Sequence, residues 1–441
     1  MNFKIIITTI LILFSLSMIA QESKTLLLDE VINLSLQNSK KLKLDQSRID
    51  EATAAIKEAM ERKLPSANVG ASYLRLAGAN TNLKFKSGNS TSTPGESPSV
   101  SQAMYGTLNA SFPIYNGGKI KYGIESSELL RKALTLDSEN DREMIIQTAI
   151  ESFANIFKAT NAVRLVKENL KQSDQRIKEL TNLEANGLLA KNDLLKAQLQ
   201  SSNLELNLLD AENNLALTTL NMNLLLGLPI ETYIIPDTSG IERKNDTRKV
   251  EDFVQAAFIN RKDVLAIDTR KKVTELGVRQ IEAEKFPSIQ LTGGYIAANI
   301  PGVISITNAL NLGFGISYNI ASIWKNKTKV DQATSRVHQM LIGEDILIDN
   351  IRLEVNKNYL NLMSTRKKVE VNAKAIAQSE ENYRITKNKF DNSLATLSEL
   401  LDAEVFVFQS KLAFTLAQAD AFVSYQKLLQ SAGLLAENFK K

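Results

Sequence analysis

This chain of 441 residues contains one sequence pattern twice. The segment KLPSANVGASY (63–73) aligns with KFPSIQLTGGY (285–295) at an offset of 222 residues, and GLLAKNDLLKA (187–197) aligns with SLATLSELLDA (393–403) at an offset of 206. Two constant offsets along one chain indicate an internal duplication. The offsets differ by 16 residues, so the first copy contains a longer loop between its two aligned segments.

Each copy is predicted to form a helix, a strand, a loop, a strand, a long helix, a turn and a helix. The first repeat covers 21–228, a linker covers 229–248, the second repeat covers 249–434, and 435–441 form a C-terminal tail. The predicted strands are 66–76, 104–114, 288–297 and 310–320, and the predicted helices are 28–62, 119–184, 190–226, 250–285, 324–390 and 396–432. The expected fold class is therefore α+β, with a duplicated helix-strand-strand-helix-helix repeat.

The predicted strands alternate between two kinds of residue. In MYGTLNASFPI (104–114) and LNLGFGISYNI (310–320), every second residue is apolar or small. This alternation over about ten residues indicates a half-buried strand, and about ten residues is also the length of a tilted membrane strand. Tyrosines near the strand ends and a polar loop at 77–102 favour a membrane strand over the alternative, a hairpin packed on a soluble core.

The N-terminus, MNFKIIITTILILFSLSMIA (1–20), indicates a signal peptide that is cleaved before Gln21, with an N-terminal anchor helix as the alternative. No later segment approaches the roughly 20 apolar residues that a membrane-spanning helix needs. We therefore expect an exported chain that crosses a membrane with strands. Because four strands cannot close a barrel, and an open sheet edge cannot exist in lipid, several chains must share one barrel.

Two very long helices are predicted after the strands. Residues 120–183 and 325–391 contain no proline and one glycine each. At about 1.5 Å per residue, each segment would run roughly 90–100 Å as a helix. Apolar residues recur at three- and four-residue steps, which is typical of a coiled-coil seam, and a second helix returns in each copy. Two such pairs per chain, shared among chains, predict a hollow helical barrel.

The composition excludes several classes of function. The chain has no cysteine and one histidine, His338, which removes thiolate sites and leaves little for a histidine-based metal site or catalytic triad. The 53 basic and 49 acidic residues give a net charge of only +4, which is no electrostatic footprint for nucleic acid. Motifs of nucleotide binding, zinc proteolysis and serine hydrolysis do not occur. We expect no enzyme activity, no cofactor, no bound metal and no nucleic-acid partner.

Proline and glycine mark the places where strands and helices meet. In FPIYNGGKI (112–120), Pro113 is expected to end ladder pairing, and the glycine pair is expected to turn the backbone from extended to helical geometry. Trp324 lies at the second strand-to-helix junction, either as a membrane-interface anchor or in ordinary packing. The predicted junction residues are Pro65, Pro113, Gly117, Gly118, Pro287 and Trp324.

Together, in order and duplicated, these motifs resemble the TolC-like outer-membrane efflux protein family. SFPIYNGGKI (111–120) resembles its strand-to-helix junction, and NGLLAKNDLLKAQ (186–198) and NSLATLSELLDAE (392–404) resemble its two hairpin tips. The resemblance covers nearly all of the mature chain. It implies a homotrimer with a shared trimeric β-barrel of twelve strands in the outer membrane and a long α-helical barrel in the periplasm.

The resemblance also implies a function. The family forms the outer-membrane exit duct of tripartite efflux or type I secretion systems and conducts substrates passively. Its partners are a periplasmic membrane-fusion adaptor, an inner-membrane transporter of the RND or ABC type and outer-membrane lipid. The alternative is a periplasmic or surface coiled-coil structural or adaptor protein, which would not need four alternating strands.

The functional residues that the resemblance implies lie at the hairpin tips. Glu399 and Asp402 would form an acidic ring at the gate, and their spacing of three places both on one helix face. A solvated helix face, or pairing with lysine, is the alternative. The family's tyrosine and arginine latch positions are Phe390 and Ala395 here, so a different latch or a weaker closure is expected. The candidate adaptor contacts are Gly187, Leu188, Asp193, Leu194, Ser393 and Leu394.

Overall fold

A computed structural model of the chain describes residues 23–77, 100–239, 246–301 and 304–439. The predicted signal peptide and most of the 77–102 loop lie outside these residues. The strands are β1 (Ser23–Leu27), β2 (Ser66–Arg75), β3 (Gln102–Tyr115), β4 (Tyr233–Asp237), β5 (Ser288–Ile300) and β6 (Ile304–Ser317). The helices are α1 (Leu28–Asn38), α2 (Lys40–Glu61), α3 (Lys119–Ala185), α4 (Lys191–Leu226), α5 (Val250–Asn260), α6 (Lys262–Glu282), α7 (Ser322–Asp391), α8 (Leu397–Ser431) and α9 (Leu435–Asn438), with a 3-10 turn at Ala283–Lys285.

Four strands form one antiparallel sheet in the order β2-β3-β5-β6. Each copy contributes one hairpin, and the two hairpins meet through β3 and β5. Equivalent residues pair in both hairpins, because Ser66 lies opposite Ser111 and Ser288 lies opposite Ser317. The duplication therefore extends to the strand register. Strands β2 and β6 form the two edges of this sheet.

The two faces of the sheet differ in chemistry. One row across the four strands is apolar and consists of Val69, Leu108, Tyr295 and Leu310. The neighbouring row, on the other face, consists of Asn68, Asn109, Gly294 and Asn311. On β6, Leu310 exposes 83% of its surface, so the apolar face is uncovered in the single chain. Within the four described strands, Arg75 is the sole charged residue.

The strand ends differ from the predicted ones. Strand β3 continues past Pro113, which corrects the expectation that this residue ends the pairing. Pairing with β2 ends at Ser111, whereas Pro113 still lies opposite Gln290 before the register shifts. A proline is tolerated there because no β2 partner remains to need its missing N–H. Strand β6 ends at Ser317 rather than near 320, because the chain then turns into α7.

Two predicted helices are each interrupted. The predicted helix 28–62 is divided into α1 and α2 at Ser39, and the predicted helix 250–285 is divided into α5 and α6 at Arg261. Ser39 and Arg261 are equivalent at the offset of 222. The interruption is therefore a property of the duplicated unit.

The interruptions coincide with contacts from the ends of the second hairpin helices. The Asn38 side chain donates to the Leu226 carbonyl at 2.6 Å. A methyl group on Gly227 would lie 3.1 Å from Asn38, and one on Gly433 would lie 3.0 Å from Asn260. Both glycines have positive φ, which ends α4 and α8. These contacts join segments that are far apart in sequence, so periodicity within one helix could not predict them.

The chain forms two compact units. The first contains the main hydrophobic core, to which both copies contribute, for example through Phe153 and Phe253. It also contains the parallel pair β1–β4, which was not predicted from the sequence. The second contains the four-stranded sheet. The first consists of the described parts of Met1–Gln46, Leu136–Val264 and Ile346–Lys441, and the second of the described parts of Ser47–Thr135 and Leu265–Asp345.

Among the residues that the structure describes, no helix combines the length and the apolar character needed to cross a membrane.

Candidate functional site: the two helical hairpin tips

The first tip joins α3 to α4 through a left-handed glycine. Gly187 has φ +73°, and the N–H of Leu188 donates to the Leu183 carbonyl at 2.8 Å. The Asn186 side chain donates to the Asn182 carbonyl at 2.6 Å, which supplies a second partner for the end of α3. This closure is a Schellman-type C-cap. It leaves Leu188 with 74% of its surface exposed at the turn.

The second tip joins α7 to α8 with the same backbone geometry. Ser393 takes the left-handed conformation at φ +61°, where the first tip has glycine. The N–H of Leu394 donates to the Lys389 carbonyl at 2.7 Å, and the Asn392 side chain donates to the Asn388 carbonyl. Leu394 is 77% exposed, like its counterpart at the first tip.

The two tips share one small hydrophobic cluster. Leu180, Leu194, Ala197, Leu397 and Leu401 form its buried centre, and Phe390 packs against them. Leu194, predicted as an adaptor contact, is therefore turned into the tip and is 9% exposed. In the single chain its side chain packs between the hairpins, and its contact with an adaptor stays a prediction.

Glu399, one of the two predicted gate residues, takes part in the N-terminal cap of α8, whose N-cap residue is Thr396. Its carboxylate accepts the Thr396 N–H at 2.7 Å, while the Thr396 hydroxyl accepts the Glu399 N–H at 3.3 Å. The hydrogen bond from the Thr396 backbone holds the pKa of Glu399 below its usual value. This reciprocal arrangement is a capping box, which the sequence T-x-x-E signals and which the sequence analysis missed.

Asp402, the other predicted gate residue, lies one turn further along α8 and is exposed. Among the described residues, no basic side chain forms an ion pair with it. At the first tip the equivalent positions hold Asp193 and Lys196, which pair with each other at 3.3 Å. The second tip therefore carries two carboxylates where the first carries a neutralised pair.

A buried ion pair lies among the helices that lead to the tips. Arg176 of α3 pairs with Glu404 of α8 at 2.6 Å, and their side chains are only 14% and 18% exposed. Arg176 also donates to the hydroxyl of Tyr383 on α7 at 3.3 Å. Burial raises the pKa of the Glu404 carboxyl, and the Arg176 charge opposes this effect. We call Arg176, Tyr383 and Glu404 the three-helix clasp.

Sequence reasoning could not find the three-helix clasp. Tyr383 and Glu404 are 21 residues apart, and Arg176 is more than two hundred residues before either. No local motif connects them. At the family's latch positions, Phe390 packs in the tip cluster and Ala395 is half-buried. Neither residue offers a side chain that could form an ion pair.

The junction residues lie where strands and helices meet. Pro65 and Pro287 immediately precede β2 and β5. Gly117 and Gly118 connect β3 to α3 with φ of +66° and +90°. Trp324 lies in the first turn of α7 and is 63% exposed.

The profile of the outer membrane efflux protein family matches this chain twice, over residues 31–228 and over residues 253–434. The chain belongs to the outer membrane efflux protein family. It is 24% identical over 394 residues to toxin and drug export protein A of Aggregatibacter actinomycetemcomitans. The aligned region covers 85% of this chain and 79% of that protein.

Solved structures share the fold. The outer membrane protein VceC of Vibrio cholerae superposes with a TM-score of 0.74 at 18% identity, covering 92% of this chain and 96% of that one. The CmeC outer membrane channel of Campylobacter jejuni superposes with a TM-score of 0.76 at 17% identity, covering 92% and 86%. The predicted fold class is confirmed, with strands that belong to a β-barrel and long helices that belong to an α-helical barrel.

The family match decides between the two predicted functions. The protein is an outer-membrane efflux channel of tripartite systems, located in the outer membrane with its helical tunnel in the periplasm. The alternative of a periplasmic or surface coiled-coil structural or adaptor protein is set aside. The family is a transport duct, and its members work with other efflux components.

Proposed function

We propose that three copies of this chain form one channel whose periplasmic entrance is the ring of hairpin tips. The tips dock on a periplasmic membrane-fusion adaptor, which connects them to an inner-membrane transporter of the RND or ABC type. A type I secretion system is the alternative assembly that such a duct would serve. The observation that carries this proposal is that, among the described residues, both edge strands of the sheet are free, and the two edges run in opposite directions.

The sheet edges support closure between copies. Strands β2 and β6 run in opposite directions at the two edges, since all four strands alternate. The β2 edge of one copy can therefore continue the antiparallel order beside the β6 edge of the next. Three copies give twelve strands and a closed barrel, which removes the unsatisfied edges that lipid forbids.

The helices carry matching apolar stripes. Leucines recur on α4 at positions that stay exposed in the single chain, and α7 shows a similar stripe. Helical stripes of this kind pack against other helices in bundles and coiled coils. The exposed residues are Leu195, Leu199, Leu206, Leu209, Leu217 and Leu224 on α4, and Ile346, Leu353 and Leu360 on α7.

The assembly is tested by mass measurement of the detergent-solubilised protein. We expect three times the mass of the mature chain. Replacing Leu206 and Leu217 with glutamate should produce single chains, because charges would be buried in the α4 stripe. As a matched control, glutamates at Asn207 and Asn214 add the same charge beside the stripe and should leave the trimer intact. A wild-type protein that remains a single chain in detergent and in lipid would contradict the proposal.

Docking on an adaptor is supported by the two exposed tip leucines. Leu188 and Leu394 stand at the turns with little contact to their own chain. Such isolated apolar side chains at an exposed turn fit the grooves of a partner helix. Replacing both with aspartate should increase the susceptibility of the producing cells to toxic compounds, while trimer assembly stays normal. Replacing both with methionine should preserve resistance, and equal susceptibility of the two variants would exclude the leucines as contacts.

The acidic gate is proposed for Glu399 and Asp402. Three copies would bring six carboxylates to the entrance, and a ring of negative charge favours cations. The absence of a basic partner for Asp402 among the described residues supports this role. Because Glu399 also caps the N-terminus of α8, variants that test the gate have to preserve this cap.

Planar-bilayer recordings test the gate. Glu399→Gln combined with Asp402→Asn removes the charges but keeps a side chain that can cap the helix. We expect a higher single-channel conductance or a weaker preference for cations. Thr396→Ala disturbs the same cap without removing any charge, so it should leave the ion preference unchanged. If the charge variant and wild type conduct identically, the two carboxylates are not part of the gate.

A further inference from the structure

The two strand-to-helix junctions differ at one pair of equivalent positions. Gly117 and Gly118 of the first copy align with Ile323 and Trp324 of the second at the offset of 206. At the first junction the backbone is closely packed, because a methyl group on Gly117 would lie 2.6 Å from the Ala283 carbonyl oxygen. At the second, Ile323 and Trp324 each expose 63% of their surface. The second copy therefore presents a bulky apolar pair where the first has none.

The inner side of the α7 start is fixed by two polar residues. Ser322 and Asn326 are buried, and the Asn326 amide donates to the Ile281 carbonyl at 2.8 Å. A helix turns by about 100° per residue, so a residue two positions away lies on roughly the opposite side. Trp324 is two positions from both buried residues and therefore faces outward. Ile320 lies in the turn just before the helix and is also exposed.

The alternation of apolar residues along β6 runs up to the start of α7. On β6, Leu312, Phe314 and Ile316 expose 81%, 74% and 73% of their surfaces. The same alternation leads to Tyr318 and Ile320, which are 43% and 61% exposed. Because the sheet of this family lies in the outer membrane, its apolar face meets lipid. The start of α7 therefore extends the lipid-facing surface beyond the last strand residue, on the periplasmic side.

A lysine follows on the same side of the helix. Lys327 lies three residues after Trp324, is exposed, and forms no ion pair among the described residues. The neighbouring carboxylate of Glu284 is already held by Lys119 at 3.1 Å and by Lys329 at 2.7 Å. These contacts lower the pKa of Glu284, which stays charged and bound to them. The positive charge of Lys327 thus remains available to an outside anion.

We propose that Ile320, Ile323, Trp324 and Lys327, which we call the anchor turn, bind anionic phospholipid of the periplasmic leaflet. The three apolar side chains lie at the boundary between acyl chains and headgroups, where tryptophan is enriched in membrane proteins. The Lys327 ammonium group extends from that boundary to the lipid phosphate. Each chain has a single anchor turn, because the glycines of the first junction cannot provide the apolar pair.

The chain contains a single tryptophan, so its fluorescence reports on Trp324 alone. The full-length protein is reconstituted into vesicles of phosphatidylcholine and phosphatidylglycerol, with bromine placed near the glycerol end or near the methyl end of the acyl chain. We expect strong quenching by bromine near the glycerol end, weak quenching by bromine near the methyl end, and little quenching by acrylamide from the water.

The lysine is tested by restricting the bromine to one lipid class. For wild type, brominated phosphatidylglycerol should quench more strongly than brominated phosphatidylcholine. Lys327→Gln should reduce the preference roughly fivefold, the effect of one lysine near an anionic surface. Lys121→Gln is the matched control, since Lys121 occupies the equivalent position at the first junction and is 73% exposed there. It should leave the preference unchanged.

Three results would overturn the inference. Strong acrylamide quenching without bromine quenching would place Trp324 in water. Protection from both quenchers would place it against a neighbouring copy. An unchanged lipid preference in Lys327→Gln would remove the phosphate contact. The inference rests on the outer-membrane location of the proposed channel. Conductance of the same vesicles shows whether the channel has assembled. Failure of the anchor turn can therefore be distinguished from failure of the channel.

Discussion

The first and second hairpin tips have nearly the same backbone but different side-chain chemistry. In both, a left-handed residue is followed by a leucine whose N–H donates to a carbonyl of the preceding helix, and an asparagine side chain caps that helix. The exposed leucines differ by only three percentage points in exposure, 74% for Leu188 and 77% for Leu394. The turn is thus specified by main-chain hydrogen bonds, which tolerate wide variation at the remaining positions.

The differences are concentrated in charge and capping. Thr396 caps the second tip, whereas the equivalent Ala190 has no side-chain cap. Asp402 corresponds to Lys196, which reverses the charge at one position of the turn. The three-helix clasp also has no duplicate, because the positions equivalent to Arg176 and Glu404 hold neutral residues, Asn382 and Gln198. The two copies thus share a backbone, but the threonine cap and the extra carboxylate occur only in the second tip.

The largest predicted effect concerns the three-helix clasp. Glu404→Ala should destabilise the protein by roughly 3–5 kcal/mol, because it leaves the Arg176 charge buried without a partner. The equivalent change in the other copy, Gln198→Ala, lies at an exposed position and should cost less than about 0.5 kcal/mol. Thermal unfolding followed by circular dichroism in detergent measures both.

The double variant Arg176→Met with Glu404→Leu sharpens this comparison. It removes both charges together, so it should regain most of the stability lost by Glu404→Ala. Equal stabilities for Glu404→Ala and Gln198→Ala would show that the three-helix clasp does not contribute to the stability of the protein.

A second prediction concerns pH and compares Glu143 with its equivalent, Asp349. Burial raises the pKa of Glu143 from 4.5 to about 7, against the opposing charges of Lys262 and Arg261. The folded state binds this proton more tightly than the unfolded state. The resulting stabilisation is fully present below about pH 4.5 and is lost as the pH rises through about 7, a change of about 3 kcal/mol.

Variants at the two positions separate this effect from other titrations. Glu143→Gln should flatten the dependence of the melting temperature on pH between about 4.5 and 7. Asp349→Asn is the matched control, because the Asp349 side chain is 77% exposed and its ion pair with Arg352 lies at the surface. If the two variants show the same pH profile, the Glu143 carboxyl is not the source of the dependence.

The third prediction exchanges the caps of the two tips. Thr396→Ala should cost about 1 kcal/mol, because the α8 N-terminus loses its hydroxyl partner. Ala190→Thr should stabilise α4 by a similar or smaller amount, since Asp193 already stands where a capping box needs an acidic residue. Denaturant unfolding gives both values, and a loss of stability in Ala190→Thr would show that the first tip cannot accept the second tip's cap.

The smallest predicted effect concerns the left-handed position itself. Ser393→Gly should stabilise the second tip by up to about 1 kcal/mol, because serine pays a steric cost at positive φ that glycine avoids. Gly187→Ser should cost the first tip a similar amount, since no atom lies within 4 Å of an added methyl group and only backbone strain acts. Opposite signs in unfolding measurements are expected, and equal signs would contradict the shared turn geometry.

Sequence periodicity predicted the elements that depend on local patterns. The duplicated offsets even correspond to the strand register, in which Ser66 pairs with Ser111 and Ser288 with Ser317. The features that the sequence did not predict depend on contacts between segments that are distant along the chain. The interruption at Ser39 coincides with the approach of Gly227 to Asn38, and the clasp joins three separate helices. The cap at Thr396 is different, because its local motif was readable in the sequence.

The nearly charge-free strands have a consequence for transport. In the four described strands, the polar side of the membrane wall presents amides, hydroxyls and glycines, such as Asn109 and Asn311, and no fixed charge that would attract or repel what passes it. Such a wall has no group that titrates near neutral pH. Anionic, cationic and neutral molecules would therefore leave the cell through the same surface under changing external conditions, and any sorting by charge has to occur before they reach it.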